Sequence, residues 1–313
     1  MSFSSDVKKE LTTLEPGKKC CQLAEIALYL RFSGSITLSG GVGLRSSTGN
    51  PAVARYYAGL IKDYFGVKTA LTVLSGAGIS RGRSYELFIG PEMNSDAVLR
   101  ECGILSVKEG SNYFTDTIGP DVARKRCCKK AALRGAFMAA GTVSSPSARG
   151  YHLEIRCSSQ ALAEDIKKLM TGFGLSPRYT LRSGRYVVYL KDGEQIADFL
   201  SLVGANSQMF SFRDAKIYKD LRNTTVRAQN CEMANLEKTI NAAQKQLADI
   251  RIIEETRGLD NLPQKLYEAA VKRIENPSLG LTDLAALFDP PLGKSGLNHR
   301  FEKIAQLAKG IKE

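Results

Sequence analysis

The chain has 313 residues, of which 43% are hydrophobic, and this amount of apolar sequence can bury two ordinary cores but scarcely three. Forty-four Lys and Arg residues against 32 Asp and Glu give a formal charge of +12. This excess favours a polyanionic partner, and nucleic acid is the leading candidate.

No segment has the features of a targeting or membrane-spanning sequence. The opening MSFSSDVKKELTTLE contains acidic residues and no apolar core, which predicts neither a signal peptide nor a transit peptide. No window approaches the ~18 uninterrupted apolar residues that a membrane span requires. Seven cysteines, an odd number, favour reduced thiols in the cytosol. With two histidines and no Cys-x-x-Cys, we expect no structural zinc site. We also expect no cofactor and no contact with a membrane.

The first hundred residues read as one mixed unit. Apolar residues recur at helical spacing in the opening helix, which ends at YLRFSGSI, residues 29–36. Short runs bounded by glycines, SITLSG and GLRSST, predict a hairpin. A helix over 51–65, strands over 67–74 and 83–89, and a helix near 94–102 follow. The predicted order is αββαββα.

The same unit occurs a second time. The segments KKCC, 18–21, and KRCC, 125–128, lie 107 residues apart, and so do Gly34 and Gly141. The later strands and helices match in the same order, for example RSYELFI with GRYVVYL. We therefore predict pseudo-repeats at about 18–105 and 125–205 within one α+β domain, residues 1–205.

The ends of the two opening helices resemble the LAGLIDADG homing endonucleases. Small residues in the second helix allow close helix packing, and the segments to compare are IALYLRFSG, 26–34, and LRGAFMAAG, 133–141. Active members carry an acidic residue just before the last glycine, and the two carboxylates hold the catalytic divalent metals. Those positions are Ser33 and Ala140 here, and neither supplies a carboxylate oxygen. The resemblance implies a catalytically inactive LAGLIDADG-like domain and no enzyme activity.

A different composition follows residue 205. The polar, basic stretch 206–231 predicts a linker, either a solvated helix face or a strip lying along phosphates. From Glu232 the pattern is helical, through 255 and again over 263–276. We assign 232–313 to an all-α helix-turn-helix domain.

The end of the chain carries the pattern of a helix-turn-helix. Asp289-Pro290-Pro291 stops a first amphipathic helix, and a second begins near Ser295. The buried face of the second helix is predicted to contain Leu297, Phe301, Ile304, Ala308 and Ile311. On and beside the opposite face, donors suited to bases and phosphates make these residues the candidate DNA contacts: Lys294, Ser295, Asn298, His299, Arg300 and Lys303.

The whole chain resembles the WhiA family in three segments: SFSSDVKKEL, RAQNCEMANLEKTINAAQKQ and DPPLGKSGLNHR. It departs at Gly280 and Gly293, where the family usually has serine. The resemblance implies a regulator of transcription that binds double-stranded DNA in the cytoplasm and nucleoid of Gram-positive bacteria. It also implies a role in sporulation, or in cell division and chromosome segregation.

Other functions stay open at this stage. Residues 206–313 carry a net charge of only +3, and the other +9 lies in the repeat domain. That domain could hold DNA on a saddle of its own. As a nucleoid-associated or sensor protein, it could instead bind a ligand or a partner from transcription or division, using the glycine-rich loops at 39–43 and 75–84. A residual homing endonuclease is the remaining alternative.

Overall fold

The computed structural model describes residues 2–38, 40–75, 83–108 and 110–312. The chain divides into two compact units, Met1–Lys219 and Asp220–Glu313. Ser39 and residues 76–82, which contribute to the two glycine-rich loops, lie outside the described residues.

The first unit is a mixed α+β domain. Its first part contains α1 Phe3–Leu11, α2 Lys19–Ser33, β1 Gly34–Thr37, β2 Gly43–Thr48, α3 Pro51–Phe65, β3 Ala70–Ser75, β4 Arg83–Ile89, α4 Ser95–Glu101, β5 Leu105–Lys108 and β6 Ser111–Phe114. Its second part contains α5 Arg126–Ala140, β7 Gly141–Val143, β8 Leu153–Cys157, α6 Gln160–Thr171, β9 Arg178–Arg182, β10 Arg185–Leu190 and α7 Gly193–Val203.

The predicted αββαββα order is confirmed in both halves. Each half forms a four-stranded antiparallel sheet, with strand order β1-β2-β4-β3 in the first and β7-β8-β10-β9 in the second. The sequence patterns missed two elements, α1 and the β5–β6 hairpin. Helix α1 has only two fully buried residues, Val7 and Leu11, so its apolar pattern is short. The hairpin strands have only four residues each.

The two repeats meet along α2 and α5. A Cβ atom at Gly135 would collide with the backbone carbonyl of Glu25, so only glycine permits this approach of the helices. Behind the interface the rings of Tyr29 and Tyr57 stack with centroids 3.4 Å apart. The predicted role of small residues in helix packing is thus explained by a specific backbone contact.

The predicted linker, 206–231, is helical in the structure. It forms the first half of α8, Asn206–Arg257, a sequence with no glycine or proline to interrupt a helix. Glu10 accepts hydrogen bonds from the first amides of this helix, and Met209 and Phe212 are buried in the core of the first unit. The division between units falls after Lys219, inside the predicted linker. The polar composition of 206–231 therefore reflects a solvent-exposed helix and does not indicate an irregular connection.

The second unit is all-helical. Besides the end of α8 it contains α9 Gln264–Glu275, α10 Leu281–Ala286 and α11 Lys294–Lys312. Its core includes a buried cation, Arg273, whose guanidinium donates to the Gln246 side chain at 3.0 Å and to the Leu279 carbonyl at 2.7 Å. Burial lowers the pKa of Arg273. This side chain ties α8 and α9 to the start of the helix-turn-helix.

Candidate nucleic-acid interface

Helices α10 and α11 form the predicted helix-turn-helix. The turn is fixed by backbone hydrogen bonds from Leu292 to the Ala285 carbonyl, 3.0 Å, and from Leu297 to the Gly293 carbonyl, 3.1 Å. The predicted buried face of α11 is confirmed. Ile311 is half-buried, and the other four predicted residues are at most 4% exposed: Leu297, Phe301, Ile304 and Ala308. The opposite face of α11 is therefore available to a ligand.

Five of the six predicted DNA contacts are exposed on α11: Lys294, Ser295, Asn298, His299 and Lys303. Two of these side chains share one acidic neighbour. Asn298 donates from Nδ2 to Glu302 Oε1 at 2.8 Å, and His299 Nδ1 lies 3.6 Å from Glu302 Oε2. Glu302 thereby orients the polar groups at the centre of the exposed face, and a base edge would compete with it for the Asn298 donor.

Arg300 is placed differently from the other predicted contacts. Its guanidinium donates to the Lys265 carbonyl at 3.2 Å, lies 3.8 Å from a carboxylate oxygen of Glu268, and sits 5.3 Å from the ring centroid of Phe288. The side chain is only 17% exposed. Arg300 therefore joins α11 to α9 and to the turn that follows α10. Sequence periodicity put it at the margin of the exposed face and could not detect these partners.

The junctions at Ser33 and Ala140 are built for packing. The Ser33 hydroxyl donates to the Tyr29 carbonyl at 2.7 Å and lies 2.7 Å from the Ser46 hydroxyl. Gly34 and Gly141 have extended backbones, with φ of −85° and −83°, so their role is not turn flexibility. A Cβ at Gly34 would collide with the Leu30 carbonyl, and one at Gly141 with the Phe137 ring. Glycine is required here by close approach.

An open cleft of 680 Å³ lies beside these junctions and includes Ser33 and Ala140 in its lining. None of its lining residues that the structure describes carries a carboxylate, whereas four carry a positive charge: Lys8, Arg31, Arg156 and Arg185. Arg31 is held by the carbonyls of Gly103 and Thr115, and burial lowers its pKa. Burial also lowers the pKa of Lys8 to about 8. This donor set suits an anion and does not suit a hard divalent cation.

Exposed arginines on the two sheets have different neighbours. On the first, Arg45 is paired with Glu86 at 2.8 Å. On the second, Arg182 of β9 lies directly opposite Arg185 of β10 in the strand register, and both are exposed. Neither forms an ion pair with a carboxylate within the described part of the chain. The pair is a local excess of positive charge, and it destabilises the sheet because like charges lie directly opposite each other.

Glu154 is the acidic residue beside this arginine cluster. It accepts hydrogen bonds from Arg156 and is 3.1 Å from His152 Nε2. Partial burial acts to raise the pKa of Glu154, but the hydrogen bonds from His152 and Arg156 outweigh it and hold that pKa below its usual value. The carboxylate is thus charged and satisfied by Arg156, and it forms no ion pair with Arg182 or Arg185.

The fold and these sites define a class: a duplicated LAGLIDADG-like domain that lacks the paired acids, followed by a helix-turn-helix domain. Three family models match the chain in this order: the WhiA N-terminal LAGLIDADG-like domain over 19–105, the WhiA LAGLIDADG-like domain over 129–222, and the WhiA C-terminal HTH domain over 225–308. The chain belongs to the WhiA family.

Relatives and solved structures agree over nearly the full length. The chain is 38% identical to "Probable cell division protein WhiA" of Natranaerobius thermophilus, covering 99% of this chain and 96% of the relative. It is 40% identical to the protein of that name from Oceanobacillus iheyensis, covering 100% and 98%. The crystal structure of full-length DUF199/WhiA from Thermatoga maritima has the same fold, with a TM-score of 0.58, 21% identity, and coverage of 99% and 98%. Within the described residues, no helix is both long and apolar enough to cross a membrane.

Proposed function

We propose that the protein is a DNA-binding transcriptional regulator that contacts duplex DNA with the exposed face of α11. The observation that carries the proposal is the division of α11 into a packed apolar face and an exposed face with five donor-bearing residues: Lys294, Ser295, Asn298, His299 and Lys303. Amide, hydroxyl and imidazole groups at the start of such a helix match base edges, and the lysines match phosphates.

The relatives named as probable cell division proteins support a role for this regulator in cell division. The family resemblance extends the proposal to sporulation and to chromosome segregation, with the protein located in the cytoplasm at the nucleoid. A protein that organises the nucleoid and one that regulates particular promoters should be distributed differently along the chromosome. Sequencing the DNA fragments that copurify with the full chain tests this: an enriched motif supports sequence-specific regulation, whereas even genome coverage supports chromosome organisation.

We also propose that the protein is not a nuclease. Ser33 and Ala140 occupy the two acid positions, and the neighbouring cleft carries positive side chains where a metal pair would need carboxylates. The LAGLIDADG-like domain thus has the duplicated fold and a cleft lined by four cations.

A second contact with DNA is favoured by the basic face of the β7–β8–β10–β9 sheet. Arg182 and Arg185 lie directly opposite each other in the strand register and have no carboxylate partner among the described residues, an arrangement that costs stability unless an anion binds there. We propose that the phosphate backbone supplies this anion. Such a contact would add affinity without sequence discrimination.

Anisotropy titrations of the full chain with the enriched duplex and with a random duplex separate the two contacts. Replacing Arg182 and Arg185 by alanine should weaken binding to both duplexes and reduce the salt slope by about two, because about one counterion is released for each phosphate contact. The control is Arg45→Ala on the first sheet, whose guanidinium is already paired with Glu86. An unchanged salt slope in the Arg182 and Arg185 variant would refute this second contact.

A further inference from the structure

The fold brings together four cysteines that are far apart in the sequence. Cys20 and Cys21 lie in the first turn of α2, and Cys127 and Cys128 lie in the first turn of α5. The two pairs are equivalent positions of the repeats, 107 residues apart. Their four Sγ atoms all lie within 4.8 Å of one another. The internal symmetry of the domain has therefore built a compact cluster of sulfur ligands.

The spacing of the sulfur atoms matches a single metal ion. Four thiolates around Zn²⁺ have Zn–S bonds of about 2.3 Å, which places the sulfurs of a tetrahedron about 3.8 Å apart. The Sγ atoms of Cys127 and Cys128 are 4.0 Å apart, and no pair in the cluster exceeds 4.8 Å. Small side-chain rotations would close the remaining difference.

The two helix N-termini supply an environment for negative sulfur. The N-cap residues of α2 and α5 are Lys18 and Lys125, and both helices start with no side-chain cap and no acidic residue in the first turn. The positive ends of both helix dipoles act to favour thiolate over thiol. Burial acts in the opposite direction and raises the pKa of Cys21 and Cys128, so it is the bound cation that would hold all four sulfurs as thiolates.

Charge balance points the same way. Four thiolates around one divalent cation carry a net charge of −2, and the residues next to the cysteines are basic in both repeats: Lys18, Lys19, Lys125, Arg126, Lys129 and Lys130. The motifs KKCC and RKRCCKK place this charge at the same two helix starts as the sulfur ligands. Basic residues in that position compensate the complex without competing as ligands.

We propose that Cys20, Cys21, Cys127 and Cys128 form a tetrathiolate site for one soft divalent cation, with Zn²⁺ as the first candidate. Binding replaces four S–H bonds by four metal–sulfur bonds and releases four protons, with no change of oxidation state. The ion joins the starts of α2 and α5, whose far ends carry Ser33 and Ala140. The metal thus stabilises the interface between the repeats at the end of the two helices opposite to Ser33 and Ala140.

The site is accessible enough to be loaded and tested. Cys127 is exposed and Cys128 is buried, while Cys20 and Cys21 are half-buried. Replacement of Cys127 by serine therefore removes one ligand with little disturbance of the core. Cys231 is exposed and outside the cluster, and Cys231→Ser is the matched control for loss of a surface thiol.

Titration of the reduced, metal-free full chain with Co²⁺ tests the proposal. A tetrahedral thiolate site should give intense visible d–d bands and a sulfur-to-cobalt charge-transfer band that saturate at one ion per chain. Zn²⁺ should displace the ion and bleach the bands. Cys127→Ser should lose or strongly weaken these bands while its circular dichroism spectrum stays native, and Cys231→Ser should bind as the unsubstituted protein does.

A second measurement uses stability, because a ligand that binds only the folded state raises the Tm. Zn²⁺ should raise the Tm of the unsubstituted protein and of Cys231→Ser, and a chelator should reverse the rise, with no response in Cys127→Ser. Absence of thiolate bands from the reduced protein would overturn the proposal. So would mass spectrometry that finds a cluster disulfide in the protein as isolated together with no metal uptake after reduction; the cluster would then be a redox pair.

Discussion

Arg134 on α5 donates from Nη1 to Glu25 Oε2 on α2 at 2.9 Å, a pairing across the interface of the two repeats. Glu25 is 3% exposed, and Tyr56 donates to its other oxygen at 3.0 Å. Burial raises the pKa of Glu25, although Arg134 and Tyr56 act against the rise. The Glu25 carboxyl group is thus held in the core by partners from both repeats.

Removing the arginine should leave that carboxylate buried without its cation. We expect Arg134→Met to lower the free energy of unfolding by about 3–5 kcal/mol, as is typical when one partner of a buried pair is lost. Urea denaturation followed by circular dichroism measures the change. The control is Arg156→Met, which breaks a pair whose arginine is 56% exposed and should cost no more than about 1 kcal/mol.

The same variant should also change the pH dependence of stability. A carboxyl whose folded pKa is raised binds protons more readily in the folded state, so its contribution falls as pH rises from the unfolded value of 4.5 through the folded pKa. Without Arg134 the folded pKa should rise further, and the loss should be larger near neutral pH than near pH ~5. Adding Glu25→Gln should flatten this dependence. Equal losses at both pH values would contradict it.

The boundary between the units gives a prediction about fragments. Phe212 is fully buried, with its ring 6.0 Å from that of Phe3 and 5.4 Å from that of Tyr151. A fragment ending at residue 205 removes this side chain, so it should be less stable than a fragment ending at Lys219 by at least about 3 kcal/mol. Comparison of the two fragments in urea tests this. Equal midpoints and slopes would show that the boundary predicted from composition was sufficient.

Limited proteolysis of the full chain should locate the least protected backbone. Residues 220–238 of α8 are exposed at every position, so this stretch lacks the tertiary packing from which most helical stability comes. We expect the first cuts within it, giving two fragments that resist further digestion. First cuts inside α2 or α11 would contradict the expectation.

The sequence was sufficient for features that depend on local pattern. The αββαββα order and the apolar face of α11 follow from periodicity and glycine placement. Features that depend on neighbours distant in sequence were not predictable: Arg300 is withdrawn from the exposed face by Phe288 and Glu268, which no spacing rule detects. The cysteine pairs were visible as a repeat, yet a search for Cys-x-x-Cys could not anticipate that internal symmetry places them together.

The full chain should not nick supercoiled plasmid with Mg²⁺ or Mn²⁺. Ser33→Asp combined with Ala140→Asp should also fail, because the new carboxylates would enter a cleft lined by four cations and no other acid among its described lining residues. Gel analysis of plasmid topology is the measurement. Metal-dependent nicking that survives repurification and disappears in a Gly34 or Gly141 variant would show that the protein is a nuclease.

Substitutions on the exposed face of α11 should affect DNA binding differently, depending on whether the residue contacts a base or a phosphate. Asn298→Ala and His299→Ala should each cost about 1–3 kcal/mol on the enriched duplex and little on a random one. Lys294→Ala and Lys303→Ala should weaken both duplexes and reduce the salt slope by about one each. Fluorescence anisotropy at several salt concentrations distinguishes the patterns, and unchanged binding in all four variants would make α11 a packing or partner-binding helix.

Arg300→Ala should behave unlike its neighbours on α11. The guanidinium is committed to the Lys265 carbonyl, Glu268 and the face of Phe288, so its loss should destabilise the second unit by about 1–3 kcal/mol through the hydrogen bond and the cation–π contact. At temperatures where the variant stays folded, the salt slope of DNA binding should match that of the unsubstituted protein. Calorimetry gives the stability and anisotropy the slope. A slope reduced by about one with unchanged stability would instead mean that Arg300 leaves Glu268 and contacts a phosphate when DNA binds.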